Sequence, residues 1–427
     1  MSENRTRTYL CIDLKSFYAS VECADRGLDP FTTNLVVADP ERSENTICLA
    51  ITPAMKARGV RNRCRMRDIP EHLECIIARP RMHRYLEVST QIVRIYLRFV
   101  AAQDVHVYSV DECFIDATPY LRLYRTTPKA FANILRQAVF QETGITATAG
   151  IGTNLFLAKV ALDITAKHAD DGIGVLDEDA FRREIWFHQP LTDIWGIGPG
   201  ITRRLAKYGA FDLAGVCALR PVTLRREFGK NAEWLIDHAW GLEPCTIADI
   251  NAYTPRGHSL SNGQVLMRDY SFAEARTILR EMTEESALEL FEGNLACTGV
   301  AIYIGYAKPF WTEAGLSGYG GASRKLPEAT NDRSALFDAV LSLYDANVDP
   351  AAPIRRVNVA LCGLIPESEV QPSLFGSPEA KRQERKIAAA ASAVRGRFGA
   401  NALLHGTSLL PEANARERNQ QIGGHHA

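Results

Sequence analysis

Two apolar segments that lie far apart in the chain carry carboxylates where a buried strand would end. Residues 8–14 predict a short buried strand that ends in a carboxylate, Asp13. Residues 104–116 place a polar Ser-x-Asp-Glu centre, with Asp111 and Glu112, between apolar and β-branched residues, which is typical of two strands meeting at a tight turn. Neighbouring strand residues point to opposite faces, so Asp111 and Glu112 can reach one site only where the strand bends or ends.

Three carboxylates that converge in a cleft repel one another, and a hard divalent cation with oxygen ligands removes that repulsion. Two such ions about 4 Å apart can activate an attacking hydroxyl and stabilise the leaving oxygen of a phosphoryl transfer. The spacing alone leaves the alternative open that these are three unrelated acids, one in a turn and two solvated.

Length and composition indicate a multidomain globular protein. At 427 residues the chain is too long for one compact core and predicts about two to four domains. No run of about eighteen apolar residues occurs and no apolar secretory segment follows Met1, so we expect a cytoplasmic protein without membrane contact. The ten cysteines are scattered without a C-x-x-C pair, which favours reduced core residues over a zinc site.

The distribution of charge is more informative than the net charge of −1, which by itself argues mildly against a nucleic-acid partner. The segment 56–67 contains Lys56 and five arginines but no acid. Such a cluster is typical of a phosphate-binding surface. A solvated loop face is the alternative until other motifs agree.

The order of periodic segments predicts an α+β protein. Residues 81–101 predict a long amphipathic helix, and helices and a strand between 128 and 166 complete an α+β domain. Residues 190–243 predict a purely helical region, and the polar, proline-bearing stretch 244–256 predicts a linker.

The second half has a different pattern. Residues 258–365 follow the order strand, helix, strand, strand, helix, strand, which predicts a split βαβ, ferredoxin-like domain. Its first helix opens with a capping box from Ser271 to Glu274. After Pro366 the chain is polar and poor in apolar residues, which predicts an extended tail.

Three motifs resemble those of the Y-family (translesion) DNA polymerases, in particular the UmuC branch. Residues 13–22, Asp-Leu-Lys-Ser-Phe-Tyr-Ala-Ser-Val-Glu, are similar to the N-terminal motif of that family. Residues 108–116 resemble the second catalytic motif, and residues 150–159 with Lys167 resemble the palm helix that follows it. Order and spacing match over residues 8–245, and the second α+β domain fits the family's little finger.

The resemblance implies a right-hand polymerase with an α+β fold. Its expected parts are a palm (1–16 and 81–175), fingers (17–80), a helix-hairpin-helix thumb (176–243), a linker (244–256), a ferredoxin-like little finger (257–366) and a C-terminal tail (367–427). These parts leave no stretch for a proofreading exonuclease. The implied reaction is low-fidelity synthesis at damaged DNA, in which a primer 3′-OH attacks the α-phosphate of a dNTP.

The resemblance also implies a catalytic centre that binds two Mg²⁺ ions. Asp13 and Asp111 would bridge the ions, and Glu112 would hold the ion nearer the primer 3′-OH. The backbone carbonyl of Leu14 would ligate the ion that carries the triphosphate, and Ser109 would lie beside the primer end.

Two aromatic residues of the first motif have implied roles at the nucleotide. Tyr18 would be the steric gate, with its ring packed where a 2′-OH would have to fit, and Phe17 would pack beneath the nucleotide. Their residue types alone suit core aromatics at a helix start equally well.

The segment 50–60 lies where the family's fingers contact the triphosphate, which makes Thr52 and Lys56 candidate nucleotide-binding residues. Pro53 and Lys56 stand where many members have Tyr and Arg, a departure that is similar to UmuC-like proteins of Gram-positive bacteria. Lys56 would neutralise phosphate as a point charge. Lys167 would be the second phosphate lysine.

The motif Gly196-Ile-Gly198-Pro-Gly200, with Arg203 and Arg204 after it, looks like a helix-hairpin-helix that binds DNA. Glycines let a turn present bare backbone N–H groups to a phosphate at a helix N-terminus. Such contacts position DNA without reading its sequence. An ordinary glycine turn between helices is the alternative.

The tail contains Gln371-Pro-Ser-Leu374-Phe375, which resembles the short peptide by which bacterial DNA-processing enzymes bind the sliding clamp. A chance match is the alternative for so short a motif. The implied partners are therefore primer–template DNA, dNTPs and the sliding clamp. The need for a UmuD-like subunit, which some relatives have, stays open.

Two other functions are compatible with parts of the sequence. A catalytically dead DNA-binding or clamp-binding module could keep this fold, but the intact set of Asp13, Asp111 and Glu112 argues against it. Another palm-type enzyme, such as a nucleotide cyclase, also uses paired acids and two metals. The helix-hairpin-helix and the clamp-like peptide favour DNA.

Overall fold

The computed structural model describes residues 7–255, 258–308, 318–371 and 378–427. The chain divides into two compact units, Met1–Tyr253 and Thr254–Ala427. Within the described ranges, no helix combines the length and the apolar character that crossing a membrane requires.

The first unit contains eight strands and twelve α-helices in its described part. The strands are β1 (Tyr9–Leu14), β2 (Leu35–Val37), β3 (Ala50–Ile51), β4 (Ile76–Ala78), β5 (Val105–Val107), β6 (Glu112–Asp116), β7 (Ala147–Gly152) and β8 (Ile173–Leu176). The helices are α1 (Phe17–Asp25), α2 (Pro53–Ala57), α3 (Met82–Tyr96), α4 (Thr118–Leu123), α5 (Pro128–Thr143), α6 (Leu155–Asp163), α7 (Glu178–Glu184), α8 (Pro199–Ala206), α9 (Leu213–Ala218), α10 (Pro221–Phe228), α11 (Asn231–Ala239) and α12 (Ile247–Ala252).

The palm is a five-stranded sheet in the order β5-β6-β1-β7-β8, in which β1 runs antiparallel to both of its neighbours. Glycines on β7 and β8 let helix α6 approach the sheet very closely. A Cβ atom on Gly150 would lie 2.0 Å from the carbonyl oxygen of Ala158, and one on Gly174 would lie 2.3 Å from that of Ala161. Only glycine fits such an approach of backbone to backbone.

The fingers contain a three-stranded sheet in which β2 pairs with β3 and with β4. Its small core includes Cys48, Ile51 and Met55. The basic segment 56–67 follows α2, and its five arginines are all solvent-exposed. This exposure agrees with the prediction that the segment forms a basic surface.

Residues 190–243 contain helices and connecting turns without a strand, as the sequence pattern predicts. The predicted linker 244–256 contains a short helix, α12 (Ile247–Ala252), and the boundary between the two units falls within this stretch, after Tyr253. The side chain of Thr246 and the carboxylate of Asp249 form a capping box at the start of this helix. Ile247 is buried against Tyr9 and Cys11 of the palm strand β1.

The second unit contains the predicted alternation of strands and helices. Its elements are β9 (Ser259–Tyr270), α13 (Phe272–Glu292), β10 (Leu295–Tyr306), β11 (Tyr319–Gly320), β12 (Ser323–Thr330), α14 (Arg333–Asn347) and β13 (Ile354–Pro366). Strand β13 pairs antiparallel with both β9 and β10 and so separates the two strands that α13 connects. This confirms the split βαβ arrangement, and Ser271 and Glu274 form the predicted capping box.

The prediction of an extended tail after Pro366 is wrong for its described part. Residues Pro378–Phe398 form a long helix, α15, and helix α16 (Ala415–Arg418) and the hairpin strands β14 (Gln421–Ile422) and β15 (His425–His426) follow it. The buried Glu281 of α13 accepts hydrogen bonds from the backbone N–H groups of Asn414 and Ala415, both at 3.1 Å. Polar contacts of this kind do not require apolar residues at regular spacing, so the sequence pattern does not predict that this segment is folded.

We predict that Glu281→Ala loosens the C-terminal segment, because it leaves the buried N–H groups of Asn414 and Ala415 without an acceptor. The local free energy of opening should fall by about 1–3 kcal/mol. Hydrogen exchange of these two amides measures that change. The matched control is Glu289→Ala, an exposed glutamate of the same helix, which should alter the exchange by less than about 0.5 kcal/mol. Unchanged exchange in the Glu281 variant would contradict the role of this carboxylate.

Candidate active site

The pairing of β1 with β6 brings the predicted catalytic carboxylates together. Asp13 lies directly opposite Glu112 in the antiparallel register. The backbone N–H of Leu14 donates to the carbonyl of Asp111 at 3.0 Å, which ties the end of β1 to the turn that precedes β6. All three carboxylates therefore lie at one end of the palm sheet.

The hydroxyl of Ser109 shapes the turn that carries two of these carboxylates. It donates a hydrogen bond to Oδ1 of Asp111 at 2.7 Å and accepts one from the backbone N–H of Glu112 at 3.0 Å. These bonds hold the turn that allows Asp111 and Glu112, although adjacent, to reach the same site. The predicted place of Ser109 beside the primer stays a prediction.

The site concentrates negative charge away from water. Burial, followed by the charges of Asp111 and Glu112, raises the pKa of Asp13 to about 7. Burial also raises the pKa of Glu112 above its usual value, although Lys159 opposes that shift. A set of carboxylate oxygens that repel one another in this way fits a hard divalent cation such as Mg²⁺.

Lys159 is a member of the site to which the motif comparison assigned no role. Its side chain is buried on α6, where the ammonium contacts the carboxylate of Glu112 and lies 3.0 Å from Oδ1 of Asp163. Burial acts to lower the pKa of Lys159, but the two carboxylates outweigh it and raise that pKa. Lys159 is therefore a fixed cation that holds Glu112. Its place inside an otherwise apolar helix was the available signal, since a buried lysine needs a carboxylate partner.

The predicted gate residues lie next to the carboxylates. Burial and then the charge of Asp111 raise the pKa of Tyr18, which places the phenol within electrostatic reach of the site. The ring of Tyr18 stacks on that of Tyr85, with ring centroids 4.4 Å apart and planes inclined by 17°. Phe17 is buried beside it, at a centroid distance of 5.7 Å.

The predicted phosphate lysines are brought together. Partial desolvation lowers the pKa of the Lys56 ammonium, Asp13 opposes that shift, and Lys167 and Lys15 add to it. The exposed Lys56 side chain therefore lies within electrostatic reach of Asp13, Lys15 and Lys167. Thr52 differs, because its buried hydroxyl donates to the carbonyl of Thr33 at 2.8 Å inside the fingers. The nucleotide contact of Thr52 stays a prediction.

The predicted helix-hairpin-helix turn precedes α8. Gly196 has a φ of 83°, and a Cβ atom there would lie 2.2 Å from the ring of Trp234, so only glycine is accommodated. Gly198 is the N-cap of α8, and Gly200, in its first turn, has no atom within 4 Å of where a Cβ would lie. The glycines therefore leave the start of this helix open.

The two arginines of α8 have different surroundings. Arg203 is exposed, and the described residues provide no ion-pair partner for it. The guanidinium of Arg204 lies over the ring of Phe228 at 4.2 Å and donates from Nη1 to the carbonyl of Glu227 at 3.0 Å. Arg204 thus stabilises the thumb, which weakens its predicted role in DNA binding, whereas Arg203 remains available.

The clamp-like motif is almost entirely outside the described residues. Gln371 is exposed at the end of a described range, and Leu374 and Phe375 lie outside the described residues.

A sheet that brings three carboxylates together at one end, followed by a helical region, is typical of palm-type enzymes. The structure is similar to the Y-family DNA polymerase chimera Dbh-Dpo4(243-245)-Dbh, with a TM-score of 0.63 and 19% sequence identity over 84% of this chain and 99% of that chain. The fold is therefore that of the Y-family DNA polymerases.

The sequence comparisons identify the family. Residues 12–163 match the impB/mucB/samB family, and residues 258–374 match the C-terminal domain of that family. The chain is 30% identical to UvrX of Bacillus subtilis (strain 168), a protein named for UV-damage repair, over 98% of this chain and 97% of that protein. It is also 30% identical to DNA polymerase IV 2 of Halalkalibacterium halodurans, over 97% of this chain and 98% of that protein. The chain belongs to the impB/mucB/samB family and is a UmuC-like member of the Y-family, which confirms the predicted resemblance.

The raised pKa of Asp13 predicts a pH-dependent stabilisation by Mg²⁺. Without metal, the stability that Asp13 contributes is fully present below its ordinary pKa, near 4, and is lost as the pH rises through about 7. Mg²⁺ competes with protons for the carboxylates, so it should raise Tm more at pH 8 than at pH 5.5. About 1 kcal/mol of binding corresponds to a rise in Tm of about 2–4 °C.

Thermal unfolding with and without millimolar Mg²⁺ measures this difference. The matched control is Asp13→Asn, in which residue 13 cannot ionise; its Tm shift should be smaller and should differ less between the two pH values. Equal shifts at the two pH values in the wild-type protein would contradict the prediction.

Proposed function

We propose that the protein is a DNA-directed DNA polymerase that performs low-fidelity translesion synthesis at damaged DNA by two-metal-ion nucleotidyl transfer. The main observation that supports this proposal is the convergence of Asp13, Asp111 and Glu112 at one end of the palm sheet. Relatives named DNA polymerase IV and UvrX support the choice of DNA synthesis and of damaged DNA. The reaction joins the primer 3′-OH to the α-phosphate of a dNTP and releases pyrophosphate.

Asp13, Asp111 and Glu112, with the backbone carbonyl of Leu14, would hold two Mg²⁺ ions. When bound, the ions supply activation of the primer hydroxyl and charge compensation on the leaving pyrophosphate. Lys159 keeps Glu112 in place through their ion pair. Because Lys159 already neutralises part of the charge, the site can fold before any cation binds.

The dNTP would bind next to the carboxylates. Lys56 and Lys167 neutralise its phosphates as point charges, without the bidentate fork that an arginine would offer. Phe17 packs beneath the nucleotide. Tyr18 excludes a 2′-OH by a steric clash, so the gate acts against the wrong sugar rather than by attraction to the right one.

Duplex DNA would contact the thumb and the fingers through its phosphates. The open start of α8, with Gly198 and Gly200, offers backbone N–H groups, and Arg203 adds an exposed cation. The exposed arginines of the segment 56–67 add a second basic surface. Contacts of this kind give affinity without sequence specificity, as a polymerase requires.

We predict that Asp111→Ala lowers the rate of single-nucleotide addition at least about 10³-fold, because it removes a ligand on which charge stabilisation depends. The dissociation constant for primer–template should change less than about threefold, since basic surfaces carry that affinity. The matched control is Asp116→Ala, at the far end of strand β6, which Asp111 precedes; this variant should keep nearly full activity. Primer extension by Asp111→Ala at a rate near that of wild type would refute the assignment.

We further propose that Gln371, Leu374 and Phe375 bind the sliding clamp. Removing two apolar anchors should cost about 3–6 kcal/mol of binding, which is enough to abolish a micromolar interaction. Leu374→Ala with Phe375→Ala should therefore eliminate stimulation by the clamp and leave synthesis on bare primer–template unchanged. The control is the double variant of the exposed pair Leu409 and Leu410, which should retain stimulation. Equal stimulation of both variants would make the motif a chance match.

A further inference from the structure

One face of the Tyr18 ring rests on a second tyrosine that is itself completely buried. Tyr85, on α3, is 0% exposed, and its ring covers that of Tyr18 at 4.4 Å with the planes inclined by 17°. Tyr18 is only half-buried, and its phenol lies within electrostatic reach of Asp111. A stacked ring behind the side chain blocks the rotations by which Tyr18 could move back into the protein.

Tyr85 is in turn fixed by a buried carboxylate. Its hydroxyl donates to Oε1 of Glu22 at 2.8 Å, and Glu22 is 0% exposed. Nε of Arg81 donates to the same oxygen at 2.9 Å, and the guanidinium of Arg26 contacts the other oxygen. Burial acts to raise the pKa of Glu22, but these bonds outweigh it and lower that pKa. Glu22 is therefore a charged acceptor that can hold a phenol strongly.

The ring stack and the hydrogen bond both link helix α1 to helix α3. Tyr18 and Glu22 are four residues apart on α1, so they lie on one face of that helix. Tyr85 of α3 is inserted along this face, with its ring on Tyr18 and its hydroxyl on Glu22. Movement of the Tyr18 ring away from the site would therefore require displacement of Tyr85 from both of its partners.

We infer that Tyr85, held by Glu22, is a positioning residue for sugar discrimination. The inference rests on the proposed role of Tyr18 as the steric gate. The clash between Tyr18 and a 2′-OH can exclude a ribonucleotide only if displacing the Tyr18 ring costs free energy. The discrimination between the two sugars therefore cannot exceed the free energy of that displacement. The stack on Tyr85 and the bond to Glu22 set that free energy. Tyr85 touches no substrate and acts only through Tyr18.

Removing the support should increase ribonucleotide insertion selectively. Tyr85→Leu should raise the ratio of kcat/KM for an rNTP to that for the matched dNTP by about three- to tenfold, the range expected for one aromatic pair. The value for the dNTP should change less than about threefold. Tyr85→Phe keeps the ring and should restore most of the discrimination, which a merely destabilised protein would not do.

Single-nucleotide insertion with an rNTP and its dNTP tests this in the full-length protein, with Tyr18→Ala measured in parallel. The matched control is Tyr120→Leu, because Tyr120 is also buried, stacks on Phe131 with planes 12° apart, and donates to Asp104 at 2.6 Å. This control should leave the ratio unchanged. In the double variant of Tyr18→Ala and Tyr85→Leu, the ratio should equal that of Tyr18→Ala alone, because Tyr85 acts through Tyr18.

The outcomes separate the inference from the proposed function. An unchanged ratio in Tyr18→Ala overturns the gate and with it the inference. A raised ratio in Tyr18→Ala with an unchanged ratio in Tyr85→Leu overturns the inference alone, as does an equal rise in Tyr120→Leu. If Tyr85→Leu does not fold, Tyr85→Met, which also lacks the aromatic ring, decides instead, and an unchanged ratio in that variant overturns the inference.

Discussion

The antiparallel pairing of β1 with β6 is the constraint on which the rest of the first unit depends. Strand β1 is buried along almost its whole length, and a slip of one residue would move each side chain to the opposite face, where the packing is shaped for a different residue. The burial of the core therefore fixes the position of Asp13 opposite Glu112. Folding the palm and assembling its charged end are the same event, and the repulsion among the carboxylates is a cost that the core must offset.

Helix α6 carries Lys159, the cation that offsets part of the repulsion among the carboxylates, and the position of this helix depends on its packing against the sheet. The glycines of β7 and β8, among them Gly150 and Gly174, allow the helix backbone to lie directly on the strands. At this distance the buried ammonium of Lys159 reaches the carboxylate of Glu112 on β6. A larger residue at either glycine would push α6 outward and separate this ion pair. These glycines carry no charge, but the close approach that they allow determines whether Lys159 can pair with Glu112.

Local signals in the sequence predicted the parts of the fold that depend on local chemistry. The capping box of Ser271 and Glu274 and the alternation of the second unit are examples, and the carboxylate motifs contain residues that the pairing of β1 with β6 brings together. Pairs distant in the chain left no such signal. No sequence signal near Glu281 predicts that its carboxylate accepts hydrogen bonds from the N–H groups of Asn414 and Ala415. Because the C-terminal segment is held by polar contacts of this kind, its sequence resembles that of an extended tail.

Residue type and spacing also failed to assign roles within a motif, and α8 shows why. Arg203 and Arg204 are adjacent, and consecutive residues of a helix point about 100° apart, so both cannot face the same surroundings. Arg204 points toward Phe228 and Glu227, where its charge strengthens the thumb, and only Arg203 is left exposed. The same separation applies to Phe17 and Tyr18, of which Phe17 is buried and Tyr18 is only half-buried, within electrostatic reach of Asp111. In each pair the helical turn decides which residue supports the fold and which one remains free to contact a ligand.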